Sequence, residues 1–150
     1  MIRPNLATNE SSTLSGLQAA GSRIRSLRIL YADDVRELRD IARLFLGREG
    51  HTVECVSDGS LALARVLEDR DFDLVITDHH MPNLNGLELV TKLREIVFPG
   101  RIMVFSSELG DEVARHYRKL KVDRILYKPV FPSTLRMVLS ELFPLPAQAA

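Results

Sequence analysis

The sequence predicts a doubly wound α/β domain, and three observations support that prediction. Short apolar runs such as Leu74–Thr77 have the length of strands that are buried on both faces of a parallel sheet. Stretches with apolar residues at helical spacing separate these runs, which is typical of βαβ units. Acidic residues follow two of the runs: Asp33-Asp34 after the first and Asp78 after the third. An open α/β sheet binds its ligands at this end of its strands.

Length and composition restrict the class of protein. The chain has 150 residues, of which 45% are hydrophobic, and a formal net charge of zero, which fits one domain with a real core and does not indicate a nucleic-acid partner. No segment approaches the roughly 18 consecutive apolar residues of a membrane span, and the first residues lack the apolar region of a secretory signal. We therefore expect a cytoplasmic protein without a membrane partner. The single cysteine, Cys55, lies in an apolar pattern and is expected to pack in the core.

Composition also divides the chain. Residues 1–26 are rich in Ser and Thr and have little apolar periodicity, so we predict a flexible N-terminal tail there. The folded domain is predicted over 27–143, and 144–150 form a short C-terminal tail that begins at a proline.

Five strand and helix pairs are expected within the domain. The strands are predicted at Leu27–Tyr31, His51–Val56, Leu74–Thr77, Ile102–Phe105 and Arg124–Tyr127. The first helix runs from about Val35 to a stop at Gly47 or Gly50, and the others span Ser60–Asp69, Leu87–Ile96, Asp111–Leu120 and Ser133–Phe143, with Ser133 as N-cap. Five such units in about 115 residues match the flavodoxin-like fold, with strand order 2-1-3-4-5 and a switch point between the first and third strands.

The three acids are therefore expected to lie together. Neighbouring carboxylates raise one another's pKa unless a cation neutralises them, and Mg²⁺ is the natural ion for oxygen ligands that leave room for phosphate. Lys128 after the fifth strand and Ser106 after the fourth add a positive charge and a hydroxyl donor. Such a set suits phosphoryl transfer, which depends mainly on positioning and charge neutralisation.

The ordered set of Asp33-Asp34, the segment from Asp78 to Gly86, Ser106-Ser107 and Lys128-Pro129 resembles the receiver domain of two-component response regulators, the CheY-like family. The resemblance implies that Asp78 accepts a phosphoryl group from a histidine kinase or a histidine phosphotransfer protein. It implies a phosphoacceptor in phosphorelay signalling that assists its own phosphorylation, rather than an enzyme.

The same resemblance implies a role for each site residue. Mg²⁺ would be held by the side chains of Asp34 and Asp78 and the backbone carbonyl of His80, with Asp33 acting through water. Lys128, Ser106 and Ser107 would contact the phosphoryl group and drive the switch, while His80 and Glu108 would tune its hydrolysis.

One position departs from the family pattern. Three residues before the lysine, receivers usually carry Tyr or Phe, and this chain carries Ile125. Tyr127 lies two residues further on, on the same face of the strand. By resemblance, output is expected through protein contacts of the fourth helix, fifth strand and fifth helix with an unidentified downstream protein, and homodimerisation is left open.

Three further hypotheses concern a histidine metal site, a scaffold and an enzyme. Adjacent strand residues point to opposite faces, so His79 and His80 are not expected to clamp a metal. A receiver-like scaffold that works without phosphorylation is one alternative. An aspartate-nucleophile phosphohydrolase is another, but it would place Asp-x-Asp after the first strand, whereas Asp33 and Asp34 are contiguous.

Overall fold

A computed structural model describes residues 24–146, and five parallel strands form the centre of the fold. The strands are β1 (Arg28–Ala32), β2 (Thr52–Val56), β3 (Leu74–Asp78), β4 (Arg101–Ser106) and β5 (Arg124–Tyr127). Their order is β2-β1-β3-β4-β5, which confirms the predicted doubly wound sheet.

Five helices connect and cover the strands. They are α1 (Arg36–Arg48), α2 (Gly59–Glu68), α3 (Gly86–Glu95), α4 (Asp111–Lys119) and α5 (Pro132–Leu142). Alternate residues of the central strands feed two separate cores, as the two-residue period of a strand requires. Leu30, Val75 and Ile102 pack against α2, α3 and α4, whereas Ile29, Ile76 and Met103 pack with α1 and α5. The sheet is therefore buried on both faces.

The register of the strands brings the candidate residues to one edge. Ala32 pairs with Thr77, Asp78 pairs with Phe105, and Ser106 pairs with Tyr127. Because the strands are parallel, the residues that follow their carboxyl ends share this edge.

The element boundaries differ from the predictions by about one residue at several ends, as sequence patterns do not fix terminal residues. The prediction that Ser133 caps the last helix was wrong. Phe131 occupies the N-cap and Pro132 the first helical position, where the missing N–H of proline costs nothing. Gly50, with φ of 94°, ends α1 as the left-handed C′ residue, while Gly47 lies inside the helix.

Three residues at the start of the described segment contact the domain. Arg25 forms an ion pair of 3.0 Å with Asp73, Ser26 donates a hydrogen bond to the Gly50 carbonyl, and Ile24 packs against the apolar cluster of α1 and α5. The rest of the predicted N-terminal tail lies outside the described residues, as do 147–150. Within residues 24–146, no helix has both the length and the apolar character that crossing a membrane demands.

Candidate functional site

Three carboxylates meet at the carboxyl edge of the sheet. Asp33 and Asp34 follow β1, Asp78 ends β3, and each offers an oxygen within 4.8 Å of the others. Asp33 and Asp78 are buried, whereas Asp34 is exposed at the rim. The predicted proximity of the three acids is therefore present in the structure.

The carboxylate of Asp33 is almost fully engaged. Its Oδ1 accepts a hydrogen bond from the Val35 N–H at 3.0 Å. Its Oδ2 accepts from the Tyr31 hydroxyl at 3.2 Å and from the Lys128 ammonium at 2.8 Å. Three donors hold this buried carboxylate in one orientation, so Asp33 is the fixed member of the cluster.

Asp78 is much less engaged. Its Oδ1 accepts a hydrogen bond of 2.7 Å from the His79 backbone N–H, and its Oδ2 has only an ion pair of 3.5 Å with Lys128. Burial raises the pKa of Asp78 above its ordinary value; the Lys128 charge opposes this rise, and the nearby Asp33 adds to it. Asp78 thus presents a desolvated carboxylate whose Oδ2 has a single long contact, that of 3.5 Å with the Lys128 ammonium.

The charge balance fits a divalent cation. Three carboxylates and the Lys128 ammonium leave two net negative charges in a partly buried site. Hard carboxylate oxygens are the ligands that Mg²⁺ prefers, and the exposed Asp34 leaves one side open to water and phosphate oxygens. Within residues 24–146, these three side chains form the one group of three or more His, Cys, Asp or Glu residues that lie close enough together to hold a metal ion.

Lys128, the residue that follows β5, lies beside the carboxylates. Its side chain is 18% exposed, and its ammonium lies closer to Asp33 than to Asp78, at 2.8 Å against 3.5 Å. The peptide bond between Lys128 and Pro129 is cis. The lysine therefore bridges the firmly held carboxylate of Asp33 and the less engaged carboxylate of Asp78.

The hydroxyl of Ser106 is turned towards its own loop. Ser106 is fully buried at the end of β4, and its Oγ donates a hydrogen bond of 3.0 Å to the Glu108 carbonyl. Ser107 and Glu108 are exposed beside it. The structure thus brings Ser106 to the same edge as Asp78, with its hydroxyl bonded to the Glu108 carbonyl.

The two histidines after Asp78 do not follow the strand geometry expected for them. Because β3 ends at Asp78, His79 and His80 lie in the loop, and their rings contact each other edge to face at 4.8 Å. The expectation that they point to opposite faces was wrong for this reason. His80 is exposed, and His79 Nδ1 shares a hydrogen bond of 2.6 Å with the hydroxyl of Tyr117. Burial lowers the pKa of His79 and raises that of Tyr117.

Ile125, the departure from the receiver pattern, lies half-buried on β5. It packs against the cluster under α3 and α4, which also contains Tyr117. Tyr127 on the same strand is 52% exposed. Neither position therefore places an aromatic ring in the interior beside Ser106.

Two tyrosines near the site were missed in the sequence. Tyr31 lies two residues before Asp33, so the period of β1 could have suggested that the two side chains share a face. Tyr117 follows Ala114 at helical spacing, which indicates a buried position on α4. Nothing in the sequence pairs it with His79, which lies 38 residues away.

The curated relatives include sensor proteins that are much longer than this chain. The chain is 34% identical over 125 residues to the sensory/regulatory protein RpfC of Xanthomonas campestris, covering 81% of this chain and 17% of that protein. It is 30% identical over 135 residues to the sensor histidine kinase AruS of Pseudomonas aeruginosa, covering 87% of this chain and 13% of that protein. The chain thus spans about a sixth or less of the length of these relatives.

Solved structures of single receivers match the fold over most of their length. The chemotaxis protein CheY4 of Vibrio cholerae superposes with a TM-score of 0.72 at 28% identity, over 79% of this chain and all of that one. A CheY-like receiver from Methanospirillum hungatei gives 0.73 at 26% identity, over 78% and 93%. Residues 29–140, which include all of the five strands except Arg28 and nearly all of α5, match the family described as the response regulator receiver domain. The chain belongs to this family.

Proposed function

We propose that Asp78 is the phosphoacceptor of this receiver and that its partner is a histidine kinase or a histidine phosphotransfer protein. The observation that carries the proposal is the difference between the two buried carboxylates. Asp33 has three hydrogen-bond donors, whereas Asp78 Oδ2 has only a lysine at 3.5 Å. An oxygen that is less engaged keeps a lone pair for attack on phosphorus.

In this proposal an Asp78 oxygen forms a bond to phosphorus while the bond from phosphorus to the donor's imidazole nitrogen breaks. The electron pair of the broken bond stays on that nitrogen. Lys128 balances negative charge on the phosphoryl oxygens, and Asp33 holds the ammonium in place through its contact of 2.8 Å. Ser106 would turn its hydroxyl from the Glu108 carbonyl to a phosphoryl oxygen, with Ser107 beside it.

Mg²⁺ would be held by Asp34 and Asp78, by the His80 backbone carbonyl, and by Asp33 through water. When bound, it supplies positive charge that neutralises the carboxylates and the phosphoryl oxygens. The two net negative charges of the side chains support a divalent ion. His80 and Glu108 stay proposed as residues that tune hydrolysis, because both are exposed beside the site and able to meet an incoming water.

We place the output of this receiver in protein contacts rather than in catalysis on a substrate, and we place the protein in the cytoplasm. The face formed by α4, β5 and α5 carries exposed apolar side chains, which are unusual for a surface that meets only water. They include Tyr127, Phe131 and Met137, at 52%, 63% and 55% exposure. The exposed basic residues Arg115, Arg118 and Lys119 lie on α4.

The experiment is intact mass measurement after incubation with phosphoramidate and Mg²⁺, followed by mapping of the modified peptide. We expect one phosphoryl group on the peptide that contains Asp78, and none in Asp78→Asn or in the presence of EDTA. Asp40→Asn is the matched control, because Asp40 is an exposed carboxylate on α1 away from the site. Normal labelling of Asp78→Asn would overturn the assignment, and no labelling of the wild-type chain with Mg²⁺ bound would favour the scaffold alternative.

A further inference from the structure

A partly buried hydrogen bond connects α4 to the residue that follows Asp78. The side chain of Tyr117 is 0% exposed, and its hydroxyl lies 2.6 Å from His79 Nδ1. The two rings also meet edge to face, with centroids 5.6 Å apart. A buried polar group of this kind is costly to leave unpaired, so the hydroxyl and the imidazole have to move together or exchange partners.

His79 links this bond to the phosphoacceptor. Its backbone N–H donates to Asp78 Oδ1 at 2.7 Å, while its ring contacts Tyr117. One residue therefore bonds the Asp78 carboxylate with its backbone and α4 with its side chain. A phosphoryl group on Asp78 changes the charge on the carboxylate oxygens, and hence the hydrogen bond that positions the His79 backbone.

The packing around this contact leaves little freedom. Gly86, the first residue of α3, donates its N–H to the His79 carbonyl at 2.9 Å. A Cβ at this position would collide with the Asp78 carbonyl oxygen and would lie 2.6 Å from the Tyr117 hydroxyl. A displacement of the loop after Asp78 is therefore passed directly to the tyrosine.

The far end of α4 is also tied to α3. The Arg94 guanidinium donates to the Leu120 and Lys121 carbonyls at 2.8 and 2.7 Å. These carbonyls end α4, whereas Tyr117 lies one turn earlier. The helix is thus held at its C-terminus while the Tyr117 contact reaches towards the site, which favours a small rotation over a free displacement.

We infer that Tyr117 is a positioning residue that couples Asp78 to α4 through His79, in a chain whose aromatic switch position is occupied by Ile125. The inference rests on the proposed function, because it requires a phosphoryl group on Asp78. Ile125 has no polar atom on its side chain and packs into the same cluster as Tyr117. The aromatic hydroxyl that reaches the phosphorylation loop therefore comes from inside α4. Loss of one such hydrogen bond shifts a two-state equilibrium by about two- to tenfold.

The test is hydrogen exchange of residues 111–121 in the whole chain, before and after phosphorylation by phosphoramidate and Mg²⁺. The α4 response is the difference in exchange between these two states. Tyr117→Phe removes only the hydroxyl, and we expect it to accept the phosphoryl group fully but to lose more than half of the α4 response. A purely structural role would change exchange equally in both states and leave the difference intact.

Two further variants make the test specific. Tyr127→Phe removes the hydroxyl of a tyrosine on β5 that is 52% exposed, and we expect it to keep the wild-type response. His79→Phe removes the imidazole partner of the same hydrogen bond, so we expect it to lose the α4 response as Tyr117→Phe does. The double variant should lose no more of the response than either single variant. If Tyr117→Phe does not fold, His79→Phe still decides the question.

The outcomes separate the two hypotheses. A Tyr117→Phe chain that is phosphorylated and keeps the wild-type α4 response overturns the coupling and leaves the proposed function standing. Loss of the response in Tyr127→Phe alone places the coupling on β5 and also overturns the inference. A wild-type chain that takes up no phosphoryl group at Asp78 overturns the proposed function and the inference together.

Discussion

Lys128 is expected to be worth more to the stability of the metal-free protein than any surface lysine of the described residues. Its ammonium lies 2.8 Å from Asp33 and 3.5 Å from Asp78, whose side chains are 1% and 8% exposed. At an effective dielectric constant of about 20, each contact is worth about 5 kcal/mol of gross attraction. Desolvation of the ammonium offsets most of this gain. Lys128→Met leaves both carboxylates without their cation, and we expect it to cost about 2–3 kcal/mol at pH 7, or about 8–12 °C in Tm.

The loss of stability in Lys128→Met should depend on pH because Asp78 titrates. Its pKa is raised in the folded state, so its contribution to stability is full below the unfolded pKa and is lost as pH rises through the folded pKa. Lys128 opposes that rise, and its removal moves the folded pKa of Asp78 further upwards. The difference in free energy of unfolding between wild type and Lys128→Met should therefore be smaller at pH 5 than at pH 7.

The assay is urea and thermal unfolding at both pH values, in EDTA and in Mg²⁺. A divalent ion replaces part of the missing positive charge, so Mg²⁺ should stabilise Lys128→Met more than it stabilises the wild type. Lys92→Met is the matched control, because Lys92 is 52% exposed and forms only a surface pair of 3.6 Å with Glu95. Such a pair is worth at most about 0.5 kcal/mol. If Lys128→Met costs no more than Lys92→Met, the reasoning from burial and distance is refuted.

Three other substitutions test separate parts of the structure. Asp34→Asn should reduce the rise in Tm that MgCl₂ produces by at least about half, since that rise depends on affinity, whereas Asp40→Asn should leave it unchanged; equal rises would exclude Asp34 as a ligand. Val97 is 79% exposed at the end of α3 with φ of 56°, so Val97→Gly should raise the free energy of unfolding by about 0.5–1 kcal/mol in urea, and a loss would contradict the strain argument. Gly86→Ala should cost about 2–3 kcal/mol by the same measurement because its Cβ would strike the Asp78 carbonyl, and a neutral effect would show that the loop can yield.

The sheet was predictable because its central strands are buried on both faces. Leu74, Val75 and Ile76 are all apolar, and β3 is buried throughout, so no alternation was needed to find it. The helix starts were less predictable. Ser133 has a good N-cap side chain, but Pro132 fits the first helical position and takes the start one residue earlier.

The position where β3 ends explains why the expectation that His79 and His80 point to opposite faces was wrong. The period of two applies only while the strand continues, and β3 stops at Asp78. His79 and His80 are therefore free of that rule, and their rings meet. A pattern argument that is correct for residues inside a strand thus fails at the residues that leave it, which are those that line the site.

The residue pattern predicted which acids meet, whereas their separate roles were implied only by the resemblance to receiver domains. Asp33, Asp34 and Asp78 all follow strand ends, and composition treats them alike. Asp33 has two donors that are near in sequence, Tyr31 and Val35, and a third, Lys128, that is 95 residues away. These three donors hold Asp33 in place. Asp78 Oδ2, in contrast, has only the Lys128 ammonium at 3.5 Å, and Asp34 is exposed to solvent. Three identical side chains thereby acquire three different chemical environments, and this difference is what supports Asp78 as the proposed nucleophile.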